Sequence, residues 1–343
     1  MIIKPIENSK ILFEGNIDSG QPIILKKNNN IGIYDCFAQS KYTNFGFRLA
    51  YFLWNLKGSN MLSSLNYYSK HVNDLTDDNM TLRGAYGPRL RFWIGADQLQ
   101  EAINKNITID DPEDFVKPKG VDQLQMCFKD LENKMEISNL VIFDPSIDFD
   151  DSKNIPDLIS ILFKRNESSL DMVANFSSVN VDGEFINDYF FLSLLHICMA
   201  TLLDLSPGFI YFNIMNPKVL NTKVVLYEYN YRFCSEIPSD FIAEVFWSNI
   251  FNLYEFEKHL RCAVFKESVD SKQIDLITHC NMLMEKFISV IEDSFWQDYG
   301  KSLLIYSLMK YSKSYDHYIE EILQTMNDEG FSREIVAMIN EKL

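Results

Sequence analysis

Residues 190–205 form an almost unbroken apolar run, FFLSLLHICMATLLDL, and no other segment constrains the fold as much. At about 16 residues it is too long for an ordinary strand and too short to span a bilayer, so it reads as a helix buried on all sides. Such a helix needs apolar neighbours around its whole circumference. The sequence offers them as short β-branched or aromatic runs at 141–143, 158–163, 170–176, 209–214 and 223–229, each a strand candidate. Pro207–Gly208 reads as the end of the helix. His196, set between Leu195 and Ile197, reads as a core histidine with a hydrogen-bond partner.

Upstream, short strands are expected at 10–13, 22–25 and 31–34, then a helix over 45–56. That helix carries Phe45, Leu49, Phe52, Leu53 and Leu56 at helical spacing, and Gly58 closes it. Residues 61–70 read as a second short helix. Residues 104–120, polar with two prolines, read as an inserted surface loop. Beside it stand two similar hexapeptides, GADQLQ (95–100) and GVDQLQ (120–125), too short to signal a repeat architecture. Beyond about residue 235 only helical patterns occur, at 239–253, 271–296, 299–312, 315–327 and 332–342, with Ser239 or Asp240 as the first cap. The expected organisation is an α+β domain over 1–230 and a helical C-terminal module over 235–343, rich in acidic residues.

Composition narrows the function. A net charge of −16 without a basic run disfavours phosphate backbones and anionic lipid surfaces, so neither nucleic acid nor membrane is an expected partner. The first residues, MIIKPIENSKILFEGN, lack a cationic flank followed by an apolar core, so a cytoplasmic location is expected. The six cysteines lack CxxC spacing and read as buried thiols; no zinc pattern is present. Asp148, Asp150 and Asp151 read as a solvated loop rather than a cation site, and no metal is expected. GxSxG and P-loop patterns are absent.

Six pieces, in order, carry a resemblance: LAYFLWNLKGSN (49–60), RGAYGPRL (83–90), VDQLQ (121–125), IPDLISILFKR (155–165), INDYFFLSLLHICMA (186–200) and SPGFIYFNI (206–214). Together they resemble the thymidylate synthase and pyrimidine hydroxymethylase family over about residues 10–225. The resemblance implies a mixed sheet with packed helices and a homodimer formed through the backs of the sheets. In that family a cysteine thiolate adds to C6 of a pyrimidine, and C5 then collects a one-carbon unit from a folate. An arginine lowers the thiol pKa, a glutamate organises proton transfer, and further arginines hold the 5′-phosphate.

Carried over position by position, the resemblance implies that these groups are replaced. Asp157, after Ile155-Pro156, stands where the nucleophilic cysteine would be, and Tyr51 stands where the catalytic glutamate would be. Ser177-Ser178-Val179-Asn180 aligns with the family's Arg-Ser-x-Asp motif, and Ser138-Asn139 with the arginine pair contributed across the dimer. Lys218 and Leu220 fall at the sugar-holding His-x-Tyr pair. Asp188, or Asn187 beside it, aligns with the side chain that reads the base, although an aspartate at a helix start is equally a helix cap. Tyr86 joins Asp157 and Asp188 as the expected lining of the pocket.

The expected function is therefore a catalytically inactive thymidylate-synthase-like protein with a binding, scaffold or regulatory role. The alternative is a divergent transferase that uses the same pocket on a pyrimidine nucleotide or nucleoside without a cysteine nucleophile, Asp157 acting as general base. No cofactor is expected under the first reading, and folate only under the second. Expected partners are a second copy of the chain, a pyrimidine nucleotide or nucleoside, and a protein docking on the acidic helical module. A filled cavity would fit the first reading, and an open one lined by Asp157, Tyr86 and Asp188 the second. Asp157 itself is expected to serve structure, accepting backbone N–H bonds or pairing with Lys164 or Arg165. On that view Asp157→Asn loses about 1–3 kcal/mol.

Overall fold

The computed structural model describes residues 9–15, 22–28, 45–93, 120–149, 151–181, 183–218, 224–229, 245–269, 276–311, 316–326, 332 and 335–336. The strands are β1 (Ser9–Gly15), β2 (Ile23–Asn28), β3 (Ile137–Val141), β4 (Leu158–Arg165), β5 (Ser169–Asn180), β6 (Ser206–Lys218) and β7 (Val224–Tyr229). The helices are α1 (Phe45–Lys57), α2 (Leu62–Asn66), α3 (Tyr86–Arg91), α4 (Gln123–Glu132), α5 (Phe185–Leu202), α6 (Phe246–Val269), α7 (Leu276–Val290), α8 (Ser294–Tyr311) and α9 (Asp316–Gln324), with a 3-10 turn at Lys70–Leu75.

Five strands make a mixed sheet in the order β2-β6-β5-β4-β3, and β1 pairs with β7 in a separate two-stranded ribbon. Within the larger sheet β5 and β6 are parallel and the other pairs antiparallel. A parallel pair needs a crossover, and α5 supplies it. Along β5 the period-two alternation buries Leu170, Met172, Ala174 and Phe176 on one face, beside Ile210, Phe212 and Ile214 of β6. The α5 helix packs on that face and buries every residue from Phe185 to Ala200. Among the described residues it is the one helix long and apolar enough to cross a membrane, but 89% of it is buried inside this fold, as in a core helix. His196 is fully buried with Nε2 2.6 Å from the Leu170 carbonyl, which meets its polar requirement.

The helices of the C-terminal third continue the same core. Trp296 of α8 stacks on Phe52 of α1 at 6.2 Å between ring centroids, and Phe52 in turn meets Phe191 of α5 at 6.1 Å. Buried hydroxyls tie the layers together. Tyr299 donates to the Leu49 carbonyl (2.7 Å), Tyr306 to that of Tyr68 (3.2 Å), and Tyr68 to Glu257 Oε1 (2.8 Å). One contiguous apolar cluster runs from Leu25 to Ile335. Cutting the chain near residue 236 is therefore expected to expose the face of α1 that α6 and α8 cover and to give aggregated protein. A monodisperse fragment as stable as the full chain, by light scattering and denaturation, would contradict this packing.

Several boundaries differ from the sequence expectation, each for a local reason. The edge strand lies at 137–141 rather than 141–143, because its ladder with β4 begins at Ile137↔Lys164. The α5 helix ends at Leu202 through its own backbone. Asp204 adopts φ 54°, Asp204 N–H donates to Thr201 O (3.0 Å) and Leu205 N–H to Ala200 O (2.9 Å), so Pro207 and Gly208 belong to β6 instead. The expected helix over 271–296 is interrupted at 291–293, where Asp293 Oδ1 accepts the Phe295 amide (3.0 Å) at the start of α8. Asp148 is not solvated; it is buried against Arg89, whose Nη2 donates to Asp148 Oδ1 at 2.8 Å. The helix over 45–56 and its terminal glycine are as expected. Gly58 has φ 84°, its N–H reaches Asn55 O, and the Ser59 N–H reaches Trp54 O, both at 3.0 Å. The strand expected at 31–34, the loop over 104–119, the first hexapeptide, the caps Ser239 and Asp240, and residues 337–342 lie outside the described residues. The second hexapeptide opens α4, with Asp122 capping at the Gln125 amide (2.9 Å).

Candidate functional site

The N-terminal turn of α5, one face of α1, the start of α3, the entry to β4 and the 3-10 turn enclose an open cleft of about 360 Å³. Tyr51 reaches it because positions 47, 51 and 54 share a helical face. The rings of Phe47 and Tyr51 stack at 5.8 Å, and those of Tyr51 and Trp54 at 6.0 Å. Tyr86 is placed by the tight approach of Gly84 to the 151–157 segment. The Gly84 amide donates to Asn154 Oδ1 at 2.8 Å, and a Cβ on Gly84 would stand 2.7 Å from the Asn154 carbonyl oxygen. Asp157 is fixed through its backbone. Its carbonyl accepts both the amide (2.9 Å) and the hydroxyl (3.2 Å) of Ser177, while its side chain lines the cleft.

Asp188 is the hub. Its Oδ1 accepts the Tyr51 hydroxyl at 3.0 Å and its Oδ2 the Tyr86 hydroxyl at 3.2 Å. Asn187 beside it is 8% exposed and lines the same cleft, and its Oδ1 has no hydrogen-bond partner among the described residues. Asn180, with its own buried and unsatisfied Oδ1, and the exposed Glu184 complete this end. Leu65, Val72, Leu75 and Leu82 add apolar lining, beside Ser69, His71 and Asp74.

Burial dominates the electrostatics. It pushes the Asp157 carboxyl up to about 7, with Glu184 adding to the rise and Lys218 opposing it. It pushes Asp188 up to about 8, where the Tyr51 hydrogen bond opposes and the Asp157 charge adds. The Tyr51 and Tyr86 hydroxyls are raised too, by burial and then by the Asp188 charge, and stay protonated donors.

Of the residues singled out in the sequence, Tyr51, Tyr86, Asp157, Asn180, Asn187 and Asp188 come together here. Ser177 does not line the cleft; it is exposed and anchors the Asp157 backbone. Ser138 lies in β3 and donates to Asp130 Oδ2 at 2.9 Å. Lys218 ends β6, and Leu220 lies outside the described residues. Two expectations are corrected. Asp188 is not a helix cap: the N-cap position is Glu184, and both Asp188 oxygens are occupied by tyrosines. Asp157 is not a structural anchor. Its carboxylate makes no hydrogen bond or ion pair among the described residues, Lys164 is exposed, and Arg165 donates to Leu131 O at 2.9 Å. The sequence reading missed Glu184 and the aromatic wall of Phe47 and Trp54, although the helical spacing of 47, 51 and 54 held the signal.

Fold and cleft together define an α+β protein with an aromatic, carboxylate-bearing cleft beside a mixed sheet. No family model matches the chain. It is 27% identical over 194 residues to a deoxyuridylate hydroxymethyltransferase of Bacillus phage SP01, a match that covers 56% of this chain and 47% of that protein. The chain thus spans about half the length of this curated relative. Among solved structures it is similar to the thermostable thymidylate synthase A from Bacillus subtilis, at 17% identity and a TM-score of 0.44, over 59% of this chain and 66% of that one. The match to the curated relative agrees with the resemblance carried by the sequence motifs.

Proposed function

We propose that this chain keeps the family's cleft as a small-molecule site and has exchanged thiolate chemistry for carboxylate chemistry. The observation that carries the reading is the open cleft in which Asp157, Asp188, Tyr51 and Tyr86 converge. The filled cavity expected of a scaffold is not what the described residues form. No cysteine, lysine or arginine is among the described residues lining the cleft, and its carboxylates oppose a phosphate dianion. The ligand proposed is accordingly nucleoside-sized and unphosphorylated. A catalytic role for Asp157 as general base has its own support, a pKa of about 7 in an open site. Homodimerisation through the back of the sheet is proposed from the resemblance, and the exposed Ile24, Val141, Phe209 and Met215 of that sheet suit it. The helical third is proposed as a docked module in a cytoplasmic protein.

The test pairs two assays on the purified protein. With deoxyuridylate and methylenetetrahydrofolate, neither thymidylate nor a hydroxymethylated product is expected. In a thermal-shift panel of pyrimidine nucleosides and their 5′-monophosphates, the nucleosides are expected to raise the melting midpoint and the monophosphates are not. Turnover above a boiled control would overturn the loss of thiolate chemistry. Shifts produced by the monophosphates alone would overturn the ligand class.

A further inference from the structure

The walls of the cleft are not held alike. Those built from α1, α3 and α5 are packed into the core. Residues 151–157 bring Asn154, Ile155, Pro156 and Asp157 to the cleft, and of the seven only Pro156 is buried. Apolar packing therefore does little to hold this segment, and hydrogen bonds take its place. Asp77 Oδ2 accepts the Ser152 hydroxyl at 2.6 Å, and Asp77 Oδ1 the Lys153 amide at 3.1 Å. Lys153 Nζ donates to the Thr76 carbonyl (3.1 Å), and Asn154 Oδ1 accepts the Gly84 amide (2.8 Å). All four bonds cross to one loop, residues 76–84. That loop is itself fixed. Asp78 Oδ1 accepts the amides of Met80 and Thr81 at 2.8 and 2.7 Å, the Met80 carbonyl accepts the Leu62 amide, and the Leu82 amide donates to Asn60 O, both at 2.9 Å. Asp77 is thus an exposed carboxylate on a rigid support, outside the lining of the cleft.

Resting on the small-molecule reading above, we infer that residues 151–156 are the movable wall of the cleft and that Asp77 is the latch that holds this wall closed. A segment secured by a few hydrogen bonds at an exposed surface opens locally at a much lower free energy than the whole fold. Release from residues 76–84 carries Asn154 and Ile155 away from the cleft and opens it on that side. The far end of the segment stays in place, because the Asp157 carbonyl is bound by the Ser177 amide and hydroxyl and β4 begins at Leu158. The Ser152 and Lys153 bonds hold the Asp77 carboxyl below the usual carboxylate range, so the latch stays charged at neutral pH and keeps accepting from both donors. Gly84 completes the closure, since its lack of a side chain lets the two segments meet backbone to backbone at Asn154.

The experiment compares amide hydrogen exchange in the full chain and in Asp77→Ala, without ligand. The Gly84 amide is the informative one, because its acceptor, Asn154, is untouched by the substitution. Its exchange is expected to speed up about tenfold or more, while the amides of α5 and α8 keep their original rates and the melting midpoint changes little. Asp77→Asn keeps one acceptor oxygen and should fall between the two. A loosened wall also admits water to Asp157. Followed by carbon-13 NMR, that carboxyl should titrate below its wild-type value of about 7 in Asp77→Ala. The charges acting on Asp157 are Glu184 and Lys218, so loss of the Asp77 charge does not by itself explain such a fall. Unchanged exchange at Gly84, or faster exchange spread equally over α5 and α8, overturns the latch. Faster exchange at Gly84 with an unmoved Asp157 titration overturns the segment's role as a wall of the cleft. Nucleosides that fail to shift the melting midpoint overturn the small-molecule reading alone, since exchange is read on the unliganded chain.

Discussion

Replacing Trp296 with alanine is expected to destabilise the protein by about 3–5 kcal/mol, the range for truncating a large aromatic side chain in a close-packed core. Trp296 is fully buried in α8, and four rings surround it: Phe52, Phe246, Phe295 and Tyr299, at centroid distances of 6.2, 5.9, 4.8 and 5.6 Å. Phe52 belongs to α1, whose other face carries the cleft residues Phe47 and Tyr51. Loss of the indole therefore opens a cavity at the junction between the helical third and the sheet-bearing part. The fall in midpoint with urea, monitored by far-UV circular dichroism, measures the effect. A change below about 1 kcal/mol would mean that α8 does not pack on α1.

The second large effect is electrostatic. Both cleft aspartates have folded-state pKa values raised above the unfolded carboxylate value, to about 7 for Asp157 and about 8 for Asp188. For a group raised in this way the native state binds the proton more tightly. Its contribution is full below the unfolded pKa near 4 and is lost as the pH rises through 7 and 8. The wild-type protein is accordingly expected to lose roughly 2–4 kcal/mol from these two groups between pH 5.5 and 8.5, discounted for water in the open cleft. Asp157→Asn removes one of the two groups without changing shape. It is expected to stabilise the protein by about 1–2 kcal/mol more at pH 8.5 than at pH 5.5. Denaturation at the two pH values checks this, and a variant destabilised at pH 8.5 would restore the structural role expected of Asp157.

The contrast between the two residues shows what the sequence makes legible. Trp296 could be placed in a helical segment, but its ring cluster brings together residues 52, 246, 295 and 299, contacts that periodicity does not reveal. The burial of α5 was legible because its apolar run has no polar face. Convergence of Tyr51, Tyr86, Asp157 and Asp188 was legible as an expectation from ordered motifs, not from any one of them. Roles within the site were harder to read. Whether Asp188 caps a helix or meets two tyrosines depends on how α1 and α3 pack against α5. Whether Asp157 turns outward or into the cleft depends on the Ser177 contacts and the register shift in the β4–β5 ladder between Leu158 and Ser160. Asp148 was misread for a similar reason, because its partner Arg89 lies far away in sequence.

The central claim is that the cleft is a small-molecule site built for carboxylate rather than phosphate-anchored thiolate chemistry. Calorimetric titration of the wild-type protein with deoxyuridine and with deoxyuridylate at pH 8.5 tests it most directly, because the two ligands differ only in the phosphate. The cleft carboxylates lead us to expect that the nucleoside binds and that its 5′-phosphate weakens binding by about tenfold or more. Tighter binding of deoxyuridylate than of deoxyuridine would contradict the account, since it would require a phosphate anchor in the cleft.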